Sequence, residues 1–148
     1  PDLDAAMDGY IAKLGVKFGV FEANETVSSF SGSSTRFRIR IAVALAGLLS
    51  IELIQPVSGV TLHGKHLESR GPGLHHIGIY VDDLRETRKS FSGYRCILEG
   101  SIRGLGEFAY FEAPDLHCIV ELLQLSMSFP LFLARNAKWY SGRPRKKP

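Results

Sequence analysis

Two glutamates and a histidine lie within apolar, strand-like stretches of the sequence, where charged side chains are unexpected. Glu52 is flanked by aliphatic residues in stretch 51–55, and Glu121 is flanked in the same way in stretch 120–124, while His76 belongs to a third stretch. Burying a carboxylate without compensation costs several kcal/mol. We therefore expect a metal ion, a cationic partner or water at a cleft beside each glutamate. Imidazole nitrogen and carboxylate oxygen together suit divalent Zn, Ni, Fe, Co or Mn.

The elements that position these residues repeat once along the chain. The first set is predicted as helix, strand, strand, strand, at residues 1–15, 16–22, 36–46 and 48–55, with a loop at 23–35 and Pro56 ending the last strand. The second set is predicted as strand, helix, strand, strand, strand, at residues 74–82, 83–91, 95–102, 107–113 and 117–125. The two orders agree once one strand is removed from the front of the first set. Asp2-Leu3 and Asp83-Leu84 begin the corresponding helices.

This repeat predicts an α+β fold in which two βαβββ modules form a curved, cavity-bearing mixed sheet, the first module lacking its opening strand. A single domain is expected over residues 1–140. It comprises a first module at 1–56, a connector at 57–73, a second module at 74–125 and a C-terminal helix at 126–140, followed by a basic tail at 141–148. If a pseudo-twofold axis relates the modules, Glu52 and Glu121 converge on one cavity, which His76 reaches from the first strand of the second module.

Further side chains are weaker candidates for the cavity. Arg36, Arg38 and Arg40 alternate on one face of a strand, where they could bind an anionic substrate or simply face solvent. Tyr80 and Tyr110 could line the cavity or pack in the core.

The remaining histidines are expected to be peripheral. His63 and His66 lie about one helical turn apart in the connector, where a short helix at 63–68 is possible. A surface position is expected for both, with a second metal site as the alternative. His117 is expected to be exposed. The alternate face of stretch 74–82 is largely apolar and is expected to pack on helices; it carries His75, Ile77, Ile79 and Val81.

Composition narrows the class of protein. The formal net charge of +3 is less than the four positive charges of the tail, which come from Arg143, Arg145, Lys146 and Lys147. The body is thus close to neutral, which argues against nucleic-acid binding. Cys96 and Cys118 show no metal or disulfide spacing, which favours a reduced, cytoplasmic setting. The longest apolar run, at 39–49, is about half the length of a membrane span, and no signal peptide is visible.

The stretch Gly73-Leu-His-His-Ile-Gly-Ile-Tyr-Val-Asp-Asp-Leu84 resembles the start of the second half of vicinal-oxygen-chelate proteins, the glyoxalase, bleomycin-resistance and dioxygenase group. The strands around Glu52 and Glu121 are similar to the two final, metal-bearing strands of that family. The whole pattern is closest to its methylmalonyl-CoA epimerase and lactoylglutathione-lyase-like branch. The resemblance implies that each half gives one ligand from its first strand and one from its last. His76, Glu121 and Glu52 would be three of these, and the fourth would lie on a strand before residue 1.

The resemblance also implies an activity. A divalent metal would hold two adjacent substrate oxygens and stabilise an enolate, while Glu52 or Glu121 moves the proton. This would make the protein an isomerase, an epimerase or a glyoxalase-type lyase acting on a small oxygenated substrate. The alternative is a non-catalytic small-molecule binder of the drug-sequestering type. A chain that begins at Pro1 would leave a sheet edge unpaired, so a homodimer is expected.

Overall fold

The structure is a computed structural model that describes residues 2–30, 33–102 and 104–142, with side chains described for residues 2–23, 36–102 and 104–142. The helices are α1 (Leu3–Leu14), α2 (Leu62–Arg70), α3 (Leu84–Ser90) and α4 (Phe129–Asn136), with a short 3-10 helix at Pro114–Leu116. The strands are β1 (Phe18–Phe30), β2 (Ser33–Ala46), β3 (Leu49–Ser58), β4 (His76–Tyr80), β5 (Arg95–Ile102), β6 (Gly106–Ala113), β7 (Cys118–Leu125) and β8 (Lys138–Tyr140).

All eight described strands belong to one mixed sheet, which confirms the predicted α+β, two-module architecture. The strand order is β3-β2-β1-β5-β6-β7-β4, and β8 pairs with the start of β1. Only β4 and β7 run parallel, because α3 connects β4 to the rest of its module; the other pairs are antiparallel. The second module therefore reads β4-α3-β5-β6-β7, and the described part of the first reads α1-β1-β2-β3.

The sheet curves until its two ends face each other. β3 and β4 lie at opposite ends of the strand order and share no backbone ladder among the described strands. Their side chains nevertheless meet: His76 Nε2 lies 3.8 Å from Glu52 Oε2, and the Ser50 hydroxyl is hydrogen-bonded to the Tyr80 hydroxyl. We call this line of contact, defined by the pairs Glu52–His76 and Ser50–Tyr80, the β3–β4 seam. The concave side of the curved sheet is the cavity side.

Local sequence explains where the helices begin and end. The Asp2 carboxylate caps α1 by accepting hydrogen bonds from the first backbone N–H groups, and Gly15 ends the helix with a φ of 66°, which glycine adopts without strain. Leu3 and Met7 are buried on the outer face of the sheet, where they pack in a cluster with Phe18. Helix α1 thereby covers the convex side of β2 and β3.

The main core fills the concave side of the sheet. Phe132 and Leu133 of α4 pack there against a cluster of buried side chains from β1, β2, β5 and β6. The Phe21 and Phe132 rings meet edge to face with their centroids 5.0 Å apart. Helix α4 is shorter than the predicted 126–140 helix, since the chain turns into β8 and pairs with β1 from Lys138 onwards.

The predicted loop at 23–35 is wrong. Strands β1 and β2 continue through it as a long hairpin, and residues 26–28 also pair with β5. Backbone hydrogen bonds on both sides of β1 outweigh the turn-like Ser and Asn composition of this segment, a case of tertiary pairing overriding local preference.

Two further predictions about strands need correction. Pro56 does not end β3, which runs on to Ser58; the register between β2 and β3 is irregular beside it, and an edge strand tolerates a proline at such a bulge. Ile77 and Ile79 do not pack on helices, as they are 51% and 44% exposed. β4 is an edge strand, and the short helix α3 covers β6 and β7 instead.

Candidate metal centre

Three strands bring Glu52, His76 and Glu121 together on the concave side of the sheet. Residues 50, 52 and 54 of β3 share the face that lines the cavity, as do 121 and 123 of β7. β4 and β7 are parallel neighbours, with His76 opposite Ile119 and Gly78 opposite Glu121. His76 and Glu121 are therefore offset by two positions on the same face, and Glu52 reaches them across the β3–β4 seam.

Glycine at position 78 leaves room for the Glu121 carboxylate. A Cβ atom built on Gly78 would lie 3.3 Å from Glu121 Oε2, which is tighter than an ordinary van der Waals contact. The carboxylate can thus lean over the strand towards His76. The Tyr110 hydroxyl is hydrogen-bonded to Glu121 as well, which fixes the carboxylate from the β6 side.

The distance from His76 to Glu121 is that of two ligands of one ion, and the distance from His76 to Glu52 is slightly longer. His76 Nε2 lies 3.3 Å from Glu121 Oε2 and 3.8 Å from Glu52 Oε2, and the three donor atoms all lie within 4.8 Å of one another. Ligand atoms about 2.0–2.2 Å from one ion lie roughly 3.0–3.6 Å apart. Glu121 is buried at 7% exposure, whereas Glu52 is at the more open side of the group.

Burial and charge perturb the titration of the group in opposite directions. Burial disfavours the charged form of His76, but the hydrogen bonds and negative charges of Glu121 and Glu52 outweigh it and raise its pKa to about 9. Burial raises the pKa of Glu121, and the charge of Glu52 raises it further, against the opposing effect of His76. Two carboxylates around one imidazole thus concentrate negative charge, which a cation relieves.

The donor set fits a divalent metal ion. One imidazole nitrogen and two carboxylate oxygens are ligands that Zn, Fe, Mn, Co and Ni accept. A buried carboxylate among aliphatic residues needs a positive partner, and Glu121 faces the one nitrogen of His76 that a metal would share with it. Glu52, His76 and Glu121 are the residues that would hold the ion.

The cavity beside this group has apolar walls and a small number of polar groups. The space between its walls, open mouth included, is about 570 Å³. The polar residues that line it are Ser50, Glu52, His63, Tyr80, Tyr110 and Glu121. The remaining lining residues are mostly aliphatic, together with the rings of Phe21, Phe108 and Phe129.

The other side chains singled out in the sequence fall into two groups. Tyr80 and Tyr110 both line the cavity, and Tyr110 is buried while Tyr80 is half exposed. Arg38 is exposed and does not line it, because strand alternation places it on the face opposite Ile39, whose side chain does. Arg40 lies on that same opposite face, where it donates hydrogen bonds to Gln55 and Asp4. His117 is exposed in a turn, with a left-handed φ of 54°.

The expected surface position of His63 is wrong. It lies on α2, whose N-terminus is capped by Thr61, and it is buried at 6% exposure beside the cavity. Its ring centroid lies 4.7 Å from that of His75 and 5.9 Å from that of His76. Burial first, and the neighbouring histidines second, lower the pKa of His63 to about 3, so its ring is uncharged. His66 is half-buried and contacts the His75 ring.

Sequence reasoning missed His63 and His75 as parts of one cluster. The signal that was available is the spacing of His63 and His66 on a possible helix, which places them on one face. What the sequence lacks is the direction in which that face points. Leu62 packs into the main core, and this contact turns the first turn of α2 inward.

Comparison with known proteins agrees with the fold. The model of the Glyoxalase/Bleomycin resistance protein/Dioxygenase superfamily matches residues 1–111 of the chain. The chain belongs to this superfamily. No curated protein matches the chain.

Two solved structures resemble this superfamily member. One is methylmalonyl-CoA epimerase from Mycobacterium tuberculosis, with 21% identity and a TM-score of 0.60, where 88% of this chain covers 85% of that chain. The other is the hypothetical protein BH1468 from Bacillus halodurans C-125, with 20% identity and a TM-score of 0.64, where 86% of this chain covers 88% of that chain. At these identities the likeness establishes the shared fold. Across the described part of the superfamily member, no helix is both long and apolar enough to span a membrane.

Proposed function

We propose that this protein binds one divalent metal ion through Glu52, His76 and Glu121 and catalyses proton transfer next to a carbonyl group of a small oxygenated substrate. The reaction class is isomerisation or epimerisation, or a glyoxalase-type lyase step. The observation that carries the proposal is the convergence of these three donors, from three strands, within 4.8 Å, with Glu52 and Glu121 lining the cavity. Membership of the superfamily, and the structural likeness to an epimerase, support the same reaction class.

The metal supplies Lewis acidity when bound, which makes a C–H bond next to a coordinated carbonyl easier to deprotonate. The chain itself holds and moves the proton. Glu121 is fixed by Tyr110 and lies close to His76, which suits a role as a permanent ligand. Glu52 is farther from His76 and less buried, so it is the carboxylate that can exchange a proton with substrate, through the oxygen that does not face His76. The apolar walls exclude water from the proton being moved.

The first experiment is elemental analysis of purified full-length protein and of Glu121→Ala. We expect about one equivalent of a transition metal in the wild type and a large loss in the variant. Glu107→Ala is the matched control, because Glu107 is also a strand glutamate but is exposed and distant from the group. Absence of divalent metal from the wild type, after refolding or dialysis against Zn, Co, Ni, Mn and Fe, would disprove the proposal.

The second experiment separates the two glutamates. Solvent deuterium incorporation next to the carbonyl of small hydroxyketones, oxoacids and acyl thioesters is followed by NMR. Glu52→Gln keeps a side-chain oxygen that can still contact the ion but cannot accept a proton, so it is expected to retain most of the metal and to lose exchange by about 100-fold or more, the usual contribution of a general base. Glu121→Gln is expected to lose both the metal and the exchange activity. Full exchange activity in Glu52→Gln would exclude Glu52 as the base.

The apolar cavity walls favour a second candidate, a small-molecule binder without catalysis. Phe21, Phe108 and Phe129 offer rings on which an aromatic or cationic ligand could stack. Its distinguishing result is tight uptake of such a ligand by protein stripped of metal, measured by calorimetry, with unchanged affinity in Glu121→Gln.

A further inference from the structure

His63 is a buried histidine whose polar atoms the proposed function does not use. Among the described residues, neither Nδ1 nor Nε2 of its ring has a hydrogen-bond partner, although both atoms are buried. A neutral imidazole carries one donor and one acceptor, and burying either without a partner destabilises the folded state. Buried polar atoms without partners are rare in folded proteins and point to a bound ion or water.

Two other histidines face His63 across the start of β4. One ring nitrogen each from His63, His75 and His76 lie within 4.8 Å of one another. His75 Nδ1 and His76 Nδ1 are 3.0 Å apart, at hydrogen-bond distance. Two nitrogens bound to one tetrahedral zinc ion at about 2.0–2.1 Å lie roughly 3.3 Å apart. The His75–His76 pair is thus spaced as two ligands of one ion are, and a ring nitrogen of His63 lies within 4.8 Å.

The two nitrogens of the His76 ring serve different neighbours. Nε2 faces the carboxylates of Glu121 and Glu52. Nδ1 faces His75. His76 thus contacts His75 and the two carboxylates through different ring nitrogens, so the histidine group and the carboxylate group are adjacent positions that share this ring.

We infer that His63, His75 and His76 form a second binding position for a divalent transition-metal ion. The inference rests on the proposed function only in sharing His76. Three imidazoles and no carboxylate select zinc, copper, nickel or cobalt over magnesium and calcium, which require oxygen ligands. Three protein ligands also leave a coordination place open, as in zinc sites with three histidines. His63 lines the cavity, so this open place adjoins the space that substrate would occupy.

A ring that binds two ions at once must lose both of its ring protons. The test therefore begins by removing the carboxylate position, with the double variant Glu52→Gln/Glu121→Gln of the full chain. Zinc binding to this variant is measured by isothermal titration calorimetry and by equilibrium dialysis with elemental analysis. We expect one zinc ion per chain and no binding of magnesium.

The histidines are then changed one at a time in that double variant. His63→Phe keeps a flat ring without polar atoms and is expected to fold at least as stably, since it removes two unsatisfied buried nitrogens. His75→Ala changes a half-buried residue, so it still tests the inference if His63→Phe fails to fold. Each is expected to weaken zinc binding by about tenfold or more, the lower bound for loss of a supporting group at a metal site. His66→Gln, one turn along α2, is the matched control and is expected to have no effect.

The results separate this inference from the proposed function. It is overturned if the double variant binds no zinc, if His63→Phe and His75→Ala leave affinity unchanged, or if His66→Gln weakens binding as much as they do. If His63→Phe in the wild-type background abolishes all zinc binding, the histidine position stands and the carboxylate position fails. If Glu121→Gln alone abolishes it, the carboxylate position stands and the histidine position fails.

Discussion

His76 Nε2 lies 3.3 Å from Glu121 Oε2, and the two residues stand two positions apart on neighbouring parallel strands. The glycine at position 78 makes this contact possible. It occupies the strand position directly opposite Glu121, where any side chain would compete with the carboxylate for space. The geometry of the candidate metal centre therefore depends on a residue that offers no ligand atom.

Substituting Gly78 should weaken metal binding without removing a ligand. The Cβ of Gly78→Ala would lie 3.3 Å from Glu121 Oε2 and displace the carboxylate from His76. We expect affinity for zinc to fall by about tenfold, as for other residues that orient ligands, with a larger loss in Gly78→Val. Gly73→Ala is the control, since a Cβ added at Gly73 would meet no atom within 4 Å. Equal affinities in Gly78→Ala and Gly73→Ala would show that Glu121 is not held by this contact.

Metal removal should lower thermal stability. An ion that binds the folded chain at 100 times its dissociation constant contributes about 2.7 kcal/mol to the free energy of unfolding. For a chain of this size, that corresponds to a fall in Tm of roughly 5–10 °C on adding a chelator. Differential scanning calorimetry with and without chelator measures it. Glu121→Gln should show a much smaller response, and an identical response in the variant and the wild type would place the stabilising ion elsewhere.

Gly9→Ala should stabilise the protein independently of the site. Gly9 lies in the interior of α1 on its exposed side, and no atom lies within 4 Å of a Cβ built there. Alanine in a helix interior is favoured over glycine by about 0.5–1 kcal/mol. Urea unfolding should show this gain in the free energy of unfolding at an unchanged slope. A loss of stability would mean that α1 is not helical at this position.

The thiol of Cys96 should react at higher pH in the folded chain than in the unfolded one. Burial raises its pKa, and the charge of Glu99 raises it further, against the opposing effect of Arg88. The thiolate fraction at a given mildly alkaline pH is therefore smaller in the folded protein. Alkylation rates of Cys118→Ser, measured from neutral to strongly alkaline pH with and without urea, should show a folded midpoint shifted upward. If the pH midpoints of alkylation were the same in folded and unfolded protein, the predicted rise in the pKa of Cys96 would be contradicted, even if the maximum rates differed.

The three carboxylate-site residues could be predicted from sequence because two local rules suffice for them. Strand alternation gives the face of Glu52, His76 and Glu121, and the repeat relates their positions. His63 could not be predicted in this way. Its burial depends on how α2 packs against β3, a contact that no pattern within residues 62–70 encodes. Likewise, the hairpin through 23–35 depends on pairing with β5, which lies about 70 residues away in sequence.

At the β3–β4 seam, the two ends of the described sheet are connected by side-chain contacts and not by backbone hydrogen bonds. Ser50 with Tyr80, and Glu52 with His76, span it, while no backbone ladder joins the two strands in the described chain. Parting the strands there breaks no backbone hydrogen bond between them. An ion bound by Glu52 of β3 and by His76 and Glu121 of β4 and β7 would therefore join the two ends of the sheet. If the proposed ion binds, amide hydrogens along β3 and β4 should exchange more slowly in its presence, because the two strands could then part only when the ion dissociates.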